Sequence, residues 1–126
     1  MKTIINTENA PAPIGPYNQA ILVQNTLYTS GQIAINPISG DLVIETVKAE
    51  TKQVMENLKA VLAKAEMNFE NVIKSTISIT NMNDFSEINE IYGSYFNADT
   101  APARETVEVS NLPKFVHVEI SMIAIK

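Results

Sequence analysis

The chain has 126 residues, enough for one ordinary domain that buries roughly two-thirds of the surface its unfolded form exposes. Hydrophobic residues make up 45% and charged residues 18%, which excludes a disordered chain, and nine Lys and Arg against fourteen Asp and Glu give a net charge of −5, which disfavours nucleic acid and anionic membranes as partners. Cysteine is absent, so disulfides, thiolate metal sites and a cysteine nucleophile are excluded together, and a cytoplasmic location is the simplest expectation.

From the N-terminus, Lys2 is followed by no sustained apolar stretch, and no later run approaches the ~18 apolar residues of a membrane span, so neither export nor insertion is expected. Ile4 and Ile5 form a short strand candidate. Pro11, Pro13, Gly15 and Pro16 then impose an ordered loop, because proline removes backbone donors and fixes φ. Ala20 to Gln24 and Leu27 to Gly31 read as a hairpin around Asn25-Thr26, and Asn36-Pro37 to Gly40-Asp41 as a further turn. Val47, Val54, Leu58, Val61, Leu62 and Ala65 recur at helical spacing behind Thr46, a candidate N-cap, with Lys48, Lys52, Glu56 and Lys59 facing water. Val72 to Thr80 alternates like a strand. Asp84-Phe85-Ser86-Glu87 has capping-box spacing and predicts a helix to about Phe96. Ala103 to Val109 and Val116 to Ile125 are strand-like, and the short Asn111-Leu112-Pro113-Lys114 link predicts that they pair antiparallel.

The order is therefore β-β-β-α-β-α-β-β in one domain spanning residues 1–126, an α+β fold with a mixed sheet. Two helices cover only one face of such a sheet. The bare face carries either Val116, Val118, Ile120, Met122 and Ala124 or their neighbours of opposite parity, and both sets are apolar enough to predict self-association.

Few residues announce chemistry. Arg104 follows Pro102-Ala103 at the start of a strand and is either a carboxylate receptor or a surface arginine paired with an acid. Glu119, flanked by Val118 and Ile120, is either an exposed-face residue or a water-orienting base. Tyr17 follows a Gly-Pro turn, and Ser30-Gly31 ends a strand where glycine lets backbone donors approach a ligand. Phe85, Tyr92, Tyr95 and Phe96 have the spacing of a helix's buried side, which leaves Asn89, one turn after Phe85, as a polar candidate. His117 is the only histidine, so neither a histidine metal site nor a Ser-His-Asp triad is supported, and it reads as structural. Dinucleotide, P-loop and zinc-protease motifs are missing, which leaves chemistry without cofactor or metal.

Taken together, Ile14-Gly15-Pro16-Tyr17, Thr29-Ser30-Gly31-Gln32-Ile33, Asn83-Asp84-Phe85, Pro102-Ala103-Arg104, Leu112-Pro113 and Val118-Glu119-Ile120 resemble the RidA (YjgF-type) reactive intermediate deaminase family along essentially the whole chain. The resemblance implies a chorismate-mutase-like fold, assembled as a homotrimer around a central barrel with a ligand cleft between each pair of neighbours. It implies cofactor-free hydrolysis of short 2-imino and enamino acids such as 2-aminoacrylate, 2-iminopropanoate and 2-iminobutanoate to 2-oxo acids and ammonia. On matched positions, Arg104 holds the substrate carboxylate, Glu119 positions water, and Tyr17, Ser30, Gly31 and Asn89 line the cleft.

The chain departs from the family pattern at three positions. Thr106 stands where cysteine is common and is expected to present a hydroxyl and a backbone N–H instead. Glu105 stands where a small residue is common, and strand alternation is expected to turn it away from Arg104. Glu66 replaces a glycine after the first helix, which is expected to end through a left-handed Asn68. The alternative function is a non-catalytic 2-oxo acid-binding module acting through a protein partner. A ribonuclease role, attached to some relatives, conflicts with the acidic charge.

Overall fold

The computed structural model describes residues 1–126. In chain order the elements are β1 (Lys2–Ile5), β2 (Ala20–Val23), β3 (Thr26–Thr29), α1 (Val47–Lys64), β4 (Val72–Ile79), α2 (Phe85–Gly93), β5 (Ala103–Glu108) and β6 (Val118–Ile125). Short 3-10 turns at Phe69–Asn71, Met82–Asp84 and Pro113–Phe115 join them. The expected β-β-β-α-β-α-β-β order is present, and the strands form one mixed sheet in the order β1-β2-β3-β6-β4-β5.

Helix α1 starts where Thr46 accepts a hydrogen bond from the Ala49 N–H at 3.0 Å. Its face of Val54, Leu58, Val61 and Leu62 is buried, while Lys48, Lys52, Glu56 and Lys59 face solvent. The helix does not end through Asn68. Glu66 itself turns left-handed, with φ of 59°, and the Met67 N–H reaches back to the Leu62 carbonyl while the Glu66 N–H reaches Ala63. This is a Schellman closure, in which buried Met67 anchors the reversal next to the cap at Ala65. Asn68 is extended and caps the following 3-10 turn instead.

The α2 start also differs from its expected capping box. Asn81 caps the Met82–Asp84 turn, so Asp84 already lies in helical geometry and makes no side-chain cap bond. The helix stops at Gly93 rather than Phe96, and Tyr95 and Phe96 fold back edge-on against Phe69. In the first hairpin the tight turn is Gln24-Asn25, one residue earlier than expected, because Val23 pairs with Thr26.

The expected antiparallel β5–β6 pair does not form. β5 runs parallel to β4 at the sheet edge, and β6 inserts between β3 and β4. Composition explains the exchange: β6 is apolar enough to be central, whereas β5, Ala-Arg-Glu-Thr-Val-Glu, carries charges on both faces and suits an edge. Helix α2 supplies the crossover that a parallel β4–β5 connection requires.

Both helices pack on one face, where Ile77, Ile79, Val118, Ile120, Met122 and Ala124 join α1 and α2 in one buried cluster. Of the two candidate sets for the bare face, the one running from Val116 to Ala124 is therefore the wrong one. Its opposite-parity neighbours lie on the uncovered side, where Ile4, Ile21, Tyr28 and Ile123 stand in register across four strands. None of these four is fully buried.

Candidate active site

The proline-rich loop between β1 and β2 is held by one buried amide. Gln19 Nε2 donates to the carbonyls of Thr7, Ala10 and Pro11, and its Oε1 accepts from the Thr7 N–H at 2.6 Å. This fixes the wall that carries Tyr17, whose phenol oxygen accepts from the Ile14 N–H at 3.3 Å. The facing wall, Gly31 to Ile35, is tied to α1 by Asn57, whose amide donates to the Ile33 and Ile35 carbonyls at 3.1 and 3.0 Å. Between the walls lies a cleft of about 340 Å³ lined by Tyr17, Gly31, Ile33, Pro113 and Lys114 among others. Ser30 sits beside it, donating its hydroxyl to the Asn18 carbonyl at 2.6 Å.

Glu119 closes on this group from the uncovered sheet face, where it pairs with Ser78 in the register. A Cβ built on Gly31 would stand 2.7 Å from Glu119 Cδ, so the glycine is what leaves room for the carboxyl. Burial pushes the Glu119 carboxyl above its ordinary value of 4.5, toward a group that holds a proton closer to neutrality.

A second group forms at the opposite edge. Arg104 pairs with Ser75 on the helix-covered side and donates from Nη1 to Asn89 Oδ1 at 2.7 Å. Its guanidinium lies 5.1 Å from the centre of the Tyr92 ring and 5.7 Å from that of Phe85. Tyr92 is buried and donates to Ser75 at 2.9 Å; burial pushes its phenol up, while the Ser75 bond and Arg104 pull it back. Arg104 is exposed and forms no ion pair, so the acid-paired alternative is not what the structure contains. Two aromatic faces and one amide hold its fork while leaving most of its five donors open.

Glu105 does not compete for Arg104. It points to the uncovered face, 2.8 Å from Lys74 and hydrogen-bonded to Thr76, and these partners hold its carboxyl below the usual value. Thr106 follows on the Arg104 side, where its hydroxyl is buried and has no hydrogen-bond partner.

The sequence-derived residues thus fall into two half-sites. Tyr17, Ser30, Gly31 and Glu119 gather around the cleft, and Asn89, Arg104 and Thr106 gather along α2 and β5. Within one chain, Arg104 and Glu119 stand on opposite faces of the sheet and do not meet across a hairpin. Gln19, Asn57 and Lys114 were not singled out by sequence patterns, and only the burial of two amides reveals the first two. His117 lies outside the cleft lining and pairs with Glu50, a fully buried carboxylate that accepts from the His117 and Val118 N–H groups and meets His117 Nδ1 at 2.7 Å. No cluster of His, Asp and Glu has the arrangement of a metal site, and no helix is long and apolar enough to cross a membrane.

The profile of the family described as Endoribonuclease L-PSP matches residues 7–126. A RutC family protein of Pyrococcus horikoshii is 51% identical over 126 residues, covering 100% of this chain and 99% of the relative. The 2-iminobutanoate/2-iminopropanoate deaminase of Homo sapiens is 44% identical over 126 residues, covering 100% of this chain and 91% of the relative. Among solved structures, the Rid family protein YyfA of Yersinia pestis superposes with a TM-score of 0.97 at 50% identity, covering 100% of both chains.

Proposed function

Because this chain belongs to the YjgF/RidA family, whose profile and relatives span it almost end to end, we propose that it is a hydrolytic deaminase of short 2-imino acids. The observation that carries the reading is Arg104: a cation with no acidic partner, steadied by Asn89, Tyr92 and Phe85 and presented at an edge strand. Such a fork matches a substrate carboxylate.

In this reading the two half-sites meet between copies. The apolar row Ile4, Ile21, Tyr28 and Ile123 turns inward in a homotrimer with a central barrel, and each Arg104 edge closes over a neighbour's cleft. The carboxylate of the imino acid sits on Arg104 and Asn89, with the Thr106 backbone N–H beside it. Tyr17, Ser30 and Gly31 form the opposing wall. Glu119 takes a proton from the attacking water as oxygen bonds to the imine carbon, then returns it to nitrogen. As the resulting carbinolamine collapses, its hydroxyl proton passes through Glu119 to the amine, the C–N bond breaks, ammonia leaves, and a 2-oxo acid remains. No covalent nucleophile is needed, so threonine in place of cysteine at 106 leaves the step intact.

A nucleic-acid substrate, suggested by the family's descriptive name, fits poorly with a net charge of −5 and a mainly apolar cleft. Losing the charge-assisted Arg104 contact removes about 1.5 to 3 kcal/mol, so Arg104→Ala is expected to lower kcat/KM roughly ten- to hundredfold. Ammonia release from 2-aminoacrylate generated by a coupled dehydratase measures this. Equal rates for mutant and wild type would reject the assignment.

A further inference from the structure

The cleft beside Tyr17 does not end at Gly31. A second depression of about 270 Å³ continues it past Asn36 and Pro37 to Gly40, and the two share Pro11, Ala12, Ile14, Ile35 and Lys114. Lys114 is the only charged residue lining either one. It forms no ion pair, and the rest of the shared wall is apolar. Its backbone is held left-handed at φ 57°, followed by Phe115 at φ 58°, so the chain adopts a conformation that L-residues avoid twice in succession just before β6.

From this geometry we infer that Lys114 determines specificity and that the site accepts 2-imino dicarboxylic acids, the apolar wall taking the methylene chain and the ammonium the distal carboxylate. The inference rests on the deaminase reading above, in which the 2-carboxylate is held by Arg104. A monocarboxylic imine leaves Lys114 without a counter-charge. A dicarboxylic imine gives each of the two cations one carboxylate, and it offsets the unfavourable approach of a dianion to a protein of net charge −5. The reaction stays balanced as before: water adds to the imine carbon, ammonia leaves, and a 2-oxo dicarboxylic acid is released.

The test compares two imines made in place by an amino-acid oxidase: 2-iminosuccinate from aspartate and 2-iminopropanoate from alanine. Loss of semicarbazide-trappable imine is followed above the rate in water. Wild-type protein should hydrolyse both. Lys114→Met should lower the ratio of kcat/KM for 2-iminosuccinate over that for 2-iminopropanoate about tenfold, chiefly through KM, because the distal contact is the same in ground and transition states. Lys114→Glu should lower the ratio further, and Lys114→Gly, which relieves the left-handed strain, should match Lys114→Met and so exclude misfolding as the cause. A ratio within about twofold of wild type in all three variants overturns the inference. Hydrolysis of 2-iminopropanoate without 2-iminosuccinate overturns it while leaving the deaminase reading standing. Hydrolysis of neither imine removes both.

Discussion

Glu119 and Gly31 are legible only as a pair. Sequence alone leaves Glu119 between a solvated carboxylate and a base, and it reads Gly31 as a strand end where backbone donors can approach a ligand, with no link between the two. The structure joins them, because any side chain at 31 would strike the carboxyl at 119. Burial raises the carboxyl's pKa above 4.5, so the folded state binds its proton more tightly than the unfolded state does. Its contribution to stability is fully present below about 4.5 and is lost as pH rises through the raised value. Glu119→Gln removes this dependence. The variant should gain stability relative to wild type as pH climbs from about 4 to 8, read by urea midpoints, while its kcat falls about 10²- to 10⁴-fold. A variant equally active at every pH would leave the carboxyl without a role. Gln19 and Asn57 were invisible beforehand for a physical reason: each satisfies backbone carbonyls of a distant irregular segment, and no local pattern encodes such partners.

Among the elements, α1 was legible because its apolar residues keep helical period and Thr46 caps it, whereas the ends and pairings depended on tertiary context. β5 and β6 follow one another along the chain through a short link, and that proximity suggested pairing. The charges of β5 instead send it to the edge and the apolar run of β6 sends that strand to the centre. The left-handed Glu66 is a local conflict between residue type and backbone. Glu66→Gly should relieve about 1 to 2 kcal/mol of steric cost, offset by about 0.5 to 1 kcal/mol of chain entropy, for a small net gain in thermal stability. A clear loss would show that the Glu66 side chain has a role beyond the turn. Glu50 is the opposite case, a buried carboxylate that ties α1 to the start of β6. Glu50→Ala orphans two backbone donors, one buried and one half-buried, and should destabilise by about 3 kcal/mol, measured by denaturant unfolding. A cost near zero would mean that water replaces the carboxylate.

For the whole molecule, the alternation of β6 announced an uncovered face without saying which parity lay outside, since both sets are apolar. The opposing sheet residues and helices decided it. In the proposed deaminase, that face and the half-sites on opposite sides of one sheet would leave a single chain an incomplete catalyst. Subunit complementation tests this most directly. Arg104→Ala and Glu119→Gln proteins, each retaining at most about a tenth of wild-type activity alone, are unfolded, mixed in equal amounts and refolded together, and imine hydrolysis is measured. An interface with Arg104 from one copy and Glu119 from its neighbour is whole in about a quarter of randomly assorted pairs, so activity should return to about that fraction of wild type. No recovery in mixtures shown to contain both chains in one oligomer would contradict a site shared between copies.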